Sequence, residues 1–228
     1  MRPETLTGLI AARAAKRPAV LMTTLSTGES RLLQGPELST PGSLHDAALK
    51  ALAEDRPQLI ETEAGEIFLN PFNPPLRMAI LGAVHIAQPL GAMAQLMGYA
   101  VTIIDPRTAF ATAARFPGLT LDHRWPDEAM TGFAPDRRSA VVALTHDPKL
   151  DDPALDVALR SDCVYIAALG SKKTHAARLE RLKARGHDAE TLVRIRGPAG
   201  LAIGAKTPAE IAVSILAELT QVLRRTSP

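Results

Sequence analysis

One cysteine, Cys163, stands among 228 residues. An intrachain disulfide is thereby excluded, and so is a metal site built from several thiolates. Aromatic residues are sparse, 4% against 46% hydrophobic overall, so the core must be aliphatic. That favours a layered α/β or α-rich architecture over a β-sandwich. Charge of one sign is lacking as well. The net charge is +2, with Lys and Arg scattered, and nothing argues for a nucleic-acid partner. No apolar run approaches the roughly 20 residues that cross a bilayer. The opening MRPETLTGLIAARAAKRPAV carries charge where a signal peptide needs an apolar stretch. A soluble, cytoplasmic protein with no membrane partner is the expectation.

What is present divides at Asn70-Pro71-Phe72-Asn73-Pro74-Pro75. Two successive prolines cannot donate ladder hydrogen bonds, and each disfavours helix in the residue before it. The expected division is a small α+β domain over residues 1–73 and a larger domain over 74–228. In the first, residues 4–17 and 43–53 read as helices and 19–25, 31–33 and 66–69 as strands. Ser43 and Asp46 make a pair resembling a capping box. In the second, the apolar runs at 77–81, 100–104, 139–144 and 162–169 are continuous rather than alternating, as in strands covered on both faces. Helical patterns follow Gly82 as far as Met97 and cover 153–160, 172–185 and 208–225. The last has Thr207, Pro208 and Glu210 as its capping signals. The fold class is therefore α/β, a Rossmann-like, mostly parallel sheet with helices on both faces, plus the small N-terminal α+β region.

Polar groups recur where strands end. Gly82-Ala83-Val84-His85-Ile86-Ala87 joins the 77–81 strand to a helix, and Asp105 ends the next strand about 20 residues on. This is the frame of a dinucleotide fingerprint with its middle glycine replaced by Val84. A β-branched residue there weakens conventional NAD or FAD binding. The turn remains open to another anion at the helix N-terminus, or to a purely structural role. Pro89, if beyond the first turn, kinks that helix. Asp105 is either a turn residue or an acceptor for ligand hydroxyl or amino groups. Arg107 is either solvated or a phosphate contact. Thr145-His146-Asp147 follows the 139–144 strand, with His146 a proton carrier, an anion donor or, least of all, a metal ligand. Gly170-Ser171-Lys172-Lys173-Thr174-His175 makes either an anion cradle or an ordinary serine cap. The glycines of Gly197-Pro198-Ala199-Gly200 and Gly204 mark a loop of close packing or close ligand approach.

The stretches LGAVHIAQPL, VTIIDPRTAFATAARFP, ALTHDPKLDDPAL, YIAALGSKKTHAARLERL and IRGPAGLAIGAKTPAEIAVSILAEL resemble, in this order, the C-terminal domain of the xanthine dehydrogenase accessory factor family (XdhC/CoxI). The resemblance implies an accessory protein that binds molybdenum cofactor (molybdopterin), protects it during sulfuration and hands it to a molybdenum hydroxylase such as xanthine dehydrogenase. It implies a carrier rather than a redox catalyst. Family members usually carry glycine where this chain has Val84. Many also have a Gly-Gly-Cys stretch, to which Ser43-Leu44-His45-Asp46 is the nearest equivalent here.

On this reading the cofactor site comprises Gly82, His85, Asp105, Arg107, Thr145, His146, Asp147, Gly170, Ser171, Lys172, His175 and Gly204. Phosphate would sit on the turn after Gly82 or on 170–172. Asp105 would meet the pterin, Arg107 and Lys172 would neutralise the anion, and His146 and His175 would approach the metal end. The expected partners are the apoenzyme, a cysteine desulfurase and a second copy of the chain. Two rival readings stand beside it. One is an NAD(P)-dependent oxidoreductase with His146 or Tyr165 as proton donor; the other is a scaffold for protein contacts alone.

Overall fold

Proline punctuates this chain at the point where its structure divides. In the computed structural model, which describes residues 2–39, 42–63 and 65–225, the boundary between two compact units falls between Pro75 and Leu76.

The first unit opens with α1 (Pro3–Ala14), whose Pro3 and Glu4 suit a helix start. It is followed by β1 (Ala19–Thr24), β2 (Ser30–Gln34), a 3₁₀ turn at Gly35–Ser39, α2 (Ser43–Glu54), β3 (Gln58–Thr62) and β4 (Gly65–Phe72). The four strands form an antiparallel sheet in the order β2-β1-β4-β3. Its inner face, Val20, Leu33, Ile67 and Leu69, packs on Ala48 of α2. The expected Ser43–Asp46 cap does not form. Gly42 is the N-cap, which puts Ser43 inside the helix, and no side chain caps it. Pro71 lies within β4 rather than in a loop, opposite Val20 of β1. The pairing of β4 with β3 ends at Leu69 and Gln58, so beyond that point a proline leaves no ladder bond unmade on that side.

The second unit contains β5 (Arg77–Leu81), α3 (Ala87–Leu96), β6 (Ala100–Ile104), β7 (Thr120–Asp122), α4 (Pro126–Phe133), β8 (Ser139–Ala143), α5 (Pro148–Leu159), β9 (Tyr165–Ala168), α6 (Lys172–Ala184), α7 (Ala189–Leu192), β10 (Ile195–Arg196) and α8 (Pro208–Arg225). Its six strands are parallel, in the order β10-β9-β8-β5-β6-β7. The chain winds outward from β5 to β7, returns across β5, and winds outward the other way from β8 to β10. This is the Rossmann order, and its switch point lies between β5 and β8.

Alternate residues of the central strands face opposite layers. Met78, Ile80, Val101, Ile103 and Val142 join Leu90 of α3 and Ile215 and Leu219 of α8. Ala79, Leu81, Ile104, Val141 and Ile166 join Met130 of α4, Leu155 of α5 and Leu182 of α6. Each fully buried leucine or isoleucine stabilises the fold by about 1.5–3 kcal/mol. Such strands, covered on both sides, are why the apolar runs are unbroken.

Two helices start elsewhere than the sequence indicates. α5 begins at Pro148, where Asp147 caps it by accepting from the Lys149 N–H at 2.9 Å; Pro153 lies inside it. α3 begins only at Ala87. Pro89 therefore sits in the first turn, where a backbone N–H has no intrahelical partner to lose, and it does not kink the helix. The Thr207–Glu210 capping box forms as expected. The Thr207 N–H donates to Oε2 of Glu210 at 2.8 Å, and the Glu210 N–H donates to Oγ1 of Thr207 at 3.3 Å.

Candidate functional site

The carboxyl ends of β5 and β8 flank the switch point, and the loops after them touch. Gly82 has φ +100°, and a side chain on it would run into the Thr145 methyl. Only glycine permits both the conformation and the closeness. Val84 is partly buried and packs on the core, while His85 is exposed.

Asp105, at the end of β6, is fully buried. Its Oδ2 accepts the Ala83 N–H at 2.7 Å and Nη2 of Arg107 at 2.8 Å. Its Oδ1 accepts the Arg107 N–H and Nε, both at 2.9 Å. Burial pushes this carboxyl up, but the Arg107 guanidinium and the two backbone donors outweigh it and hold it below its usual value. The carboxylate is thus engaged within the protein. It ties the β5 turn to Arg107 rather than offering itself to a ligand, which replaces the pterin contact expected of it. Arg107 lies over Phe110, 4.8 Å from its guanidinium carbon to the ring centroid, and it feels the charges of Asp147 and Asp151 from the β8 side.

After β8, Thr145-His146-Asp147 wraps around the buried carboxylate of Asp151. Oγ1 of Thr145 donates to Oδ1 at 2.6 Å, and the His146 N–H donates to Oδ2 at 3.1 Å. His146 takes a left-handed conformation, φ +62°, uncommon for a side-chain-bearing residue. Beyond β9, Gly170 has φ +141°, and a methyl on it would lie 3.7 Å from Nδ1 of His146. The β5, β6, β8 and β9 loops therefore meet at one edge.

Ser171 caps α6, accepting from the Thr174 N–H at 3.1 Å; Lys172 beside it is exposed. The His175 ring lies against Gly197. Its Nδ1 has no partner among the described residues, and burial, aided by Arg178, pushes its pKa down. Gly204 is exposed, with nothing within 4 Å of where a side chain would begin, so no contact there draws it into the cluster.

Two buried residues of the edge carry no mark in the sequence that singles them out. Asp151 takes the donors of Thr145 and His146, and burial pushes its pKa up. Arg178 is 1% exposed, lies 3.8 Å from Asp151 through Nη2, and donates through the same nitrogen to the Leu169 carbonyl at 2.8 Å. Its Nε and Nη1 have no partner among the described residues. Arg178 shares only a helical spacing of four with Leu182, and Asp151 only a place in a helical first turn, patterns that many solvated residues also have.

Tyr165 cannot serve as the proton donor of an oxidoreductase in this fold. Its buried hydroxyl donates to Oε2 of Glu218 at 2.6 Å, and burial pushes its pKa up. Cys163 is also buried, with its thiol pushed up to about 11 by burial. Among the described residues no three or more His, Cys, Asp or Glu are grouped to hold a metal ion. Nor is any helix among them long and apolar enough to cross a membrane. The first unit holds a cavity of about 250 Å³ between Arg31, Leu33, Leu44 and His45.

Comparison with known proteins agrees with this architecture. The chain is 31% identical over 160 residues to a probable xanthine dehydrogenase component of Bacillus subtilis, covering 70% of this chain and 46% of that one. It is 31% identical over 151 residues to the molybdenum cofactor insertion chaperone PaoD of Escherichia coli, covering 66% and 41%. The chain thus spans less than half the length of these relatives. A crystal structure described as a xanthine dehydrogenase from Bacillus halodurans shares the fold, with a TM-score of 0.75 at 24% identity over 97% of this chain and 67% of that one. The family model described as the XdhC Rossmann domain matches residues 78–219. The resemblance seen in the sequence is borne out: this chain belongs to the XdhC Rossmann domain family.

Proposed function

We propose that this chain binds molybdenum cofactor (molybdopterin) as cargo and assists its insertion into a molybdenum hydroxylase of the xanthine dehydrogenase type. The observation that carries the reading is the meeting of the β5, β6, β8 and β9 loops at the switch point, where α/β sheets take their ligands. Family membership and the insertion role named for the relative PaoD support it.

The donor set fits an anionic, phosphate-bearing guest. Arg107 is half-exposed with Nη1 outside its pair with Asp105, and the positive end of the α3 dipole lies at the same edge. Lys172 adds an exposed positive charge at the start of α6. No thiol of this chain is available to the metal, since Cys163 is buried at the amino ends of β8 and β9, with its sulfur donating to the Ser139 carbonyl at 2.8 Å. The cargo brings the molybdenum and its dithiolene. The protein's part is to grip the phosphate, exclude water and release the guest to the apoenzyme. His146 and His175 would face the rest of the guest. Sulfuration during this residence, with a cysteine desulfurase as donor, belongs to the same proposal, as does self-association.

The test is retention of released cofactor by purified protein in gel filtration, with molybdenum and pterin assayed in the protein peak. The native chain is expected to carry both and to restore activity to a cofactor-free molybdenum hydroxylase. The Asp105→Ala/Arg107→Ala double variant is expected to lose most of both. A native chain that elutes free of molybdenum and pterin overturns the function; equal retention by the double variant overturns the site.

A further inference from the structure

Phe110 is 48% exposed in the loop that follows β6. A lone exposed aromatic is ordinary, but this one is not free to wander. Its N–H donates to the Arg107 carbonyl at 2.9 Å. Its own carbonyl accepts Nη1 of Arg115 at 2.6 Å, and Arg115 reaches on to the Gln88 side chain in the first turn of α3 at 3.4 Å. The segment is thus tied to the helix that starts beside the Gly82 turn. The guanidinium above the ring is held as firmly, since Asp105 takes Nε and Nη2 at once. That fork fixes the plane of Arg107, whose side chain remains 41% exposed. Two flat π-bearing groups, a guanidinium held by a buried carboxylate and a ring packed against it on a hydrogen-bonded backbone, therefore face solvent together at the carboxyl end of β6. Ordering them costs little on binding, because they are ordered already.

We propose that Arg107 and Phe110 form a stacking platform for a planar nitrogen heterocycle that carries a phosphate, and that the cargo is recognised by this ring as well as by its charge. The inference rests on the cofactor-binding reading above and deepens it. A guanidinium plane and a phenyl ring each attract the face of a heterocycle. The Asp105 carboxylate bridges Arg107 to Ala83, so the phosphate of the same guest comes within reach of the turn after β5. A phosphate alone would use the turn and the charge of Arg107 and would be indifferent to Phe110. The ring could be the pterin itself or a nucleobase joined to it. Both have the shared chemistry, and the test separates them.

The experiment is calorimetric titration of the full chain with three kinds of probe: inorganic phosphate, a pterin phosphate, and the nucleoside monophosphates of cytosine, guanine and adenine. The native chain is expected to bind one of the heterocyclic probes at least tenfold more tightly than inorganic phosphate. Phe110→Ala and Phe110→Leu should each weaken that probe by roughly tenfold and leave inorganic phosphate unchanged. Phe110 touches no buried carboxylate, so these variants are expected to keep the native circular dichroism spectrum. Arg107→Lys, which keeps the charge and loses the plane, should weaken the same probe more than it weakens phosphate. Preference for the pterin phosphate supports the platform and assigns the ring to the pterin; preference for one nucleotide supports it and assigns the ring to a nucleobase. Native affinity no better for any ring than for phosphate overturns the platform, as does a Phe110→Ala variant that binds the ring as the native chain does. Molybdenum retention by the native chain is read separately, so loss of the cofactor function and loss of the platform show in different measurements.

Discussion

Asp105 illustrates what a single buried carboxylate can and cannot be. As a residue at the end of a strand, about 20 positions after a glycine turn, it reads as a ligand acceptor; in the fold its oxygens are filled by Ala83 and Arg107. The contact with Ala83 spans 22 positions of sequence, and no local pattern announces it. Its depressed pKa carries a stability consequence. Above the unfolded carboxyl value near 3.9 the stabilising contribution is fully present, and it is lost as pH falls through the lower folded value. Arg107→Ala removes two of the donors and leaves burial less opposed, so the folded pKa rises. The variant is expected to lose about 1–3 kcal/mol at neutral pH, since the two backbone donors remain. Its decline in acid should begin at higher pH than the native chain's. Urea denaturation series from about pH 3 to pH 7 would show both. Curves that superimpose across that range would mean the pair contributes nothing.

At the scale of elements, α5 and α6 are joined by charge as well as by apolar packing. Asp151 faces Arg178, and Asp152 accepts Nε and Nη2 of Arg181 at 2.6 and 3.0 Å. Asp151 also closes the loop that holds His146. Arg178→Met strands the Asp151 charge in the interior and is expected to cost about 3–5 kcal/mol near neutral pH. The loss should shrink in acid, because the raised pKa of Asp151 lets it take up a proton. Asp151→Asn combined with Arg178→Met should recover much of the loss, and a double-mutant cycle by thermal melting reads the coupling. Additive losses would show that the two residues act independently.

These elements also show how far the sequence is legible. The runs at 77–81 and 100–104 are strands with those bounds, and the capped segment 208–225 is a helix with its own, because unbroken apolar runs and a capping box are local signals. Pro153 suggests the start of α5 because a proline is expected at a helix start. The true start is Pro148, and the inner proline is tolerated within the helix. β7, α7 and β10 are two to four residues long and exist because neighbours pair or pack with them, so their own residues hold no period to detect. Arg178 escapes notice for a related reason: an arginine in a basic, polar helix reads as solvated until the sheet above it is known.

For the whole molecule, the division after Pro75 has a thermodynamic consequence. The second unit has its own two-layered core around a six-stranded sheet. A domain of about 150 residues buries about 68–70% of the surface its unfolded chain exposes, enough for independent stability. The loops proposed to grip the cargo all belong to this unit, and the ties among Gly82, Ala83, Asp105, Arg107, Thr145, His146 and Gly170 lie within it. A fragment covering residues 76–225 is therefore expected to fold alone, melt in one cooperative transition and show a urea slope in keeping with its size. It should bind the same heterocyclic phosphate probe as the full chain, within a few-fold. A fragment that is folded but no longer binds would move part of the grip into residues before Leu76. A fragment that stays unfolded would mean that the sheet depends on the first unit for its stability, and the two cores would then have to be treated as one cooperative system.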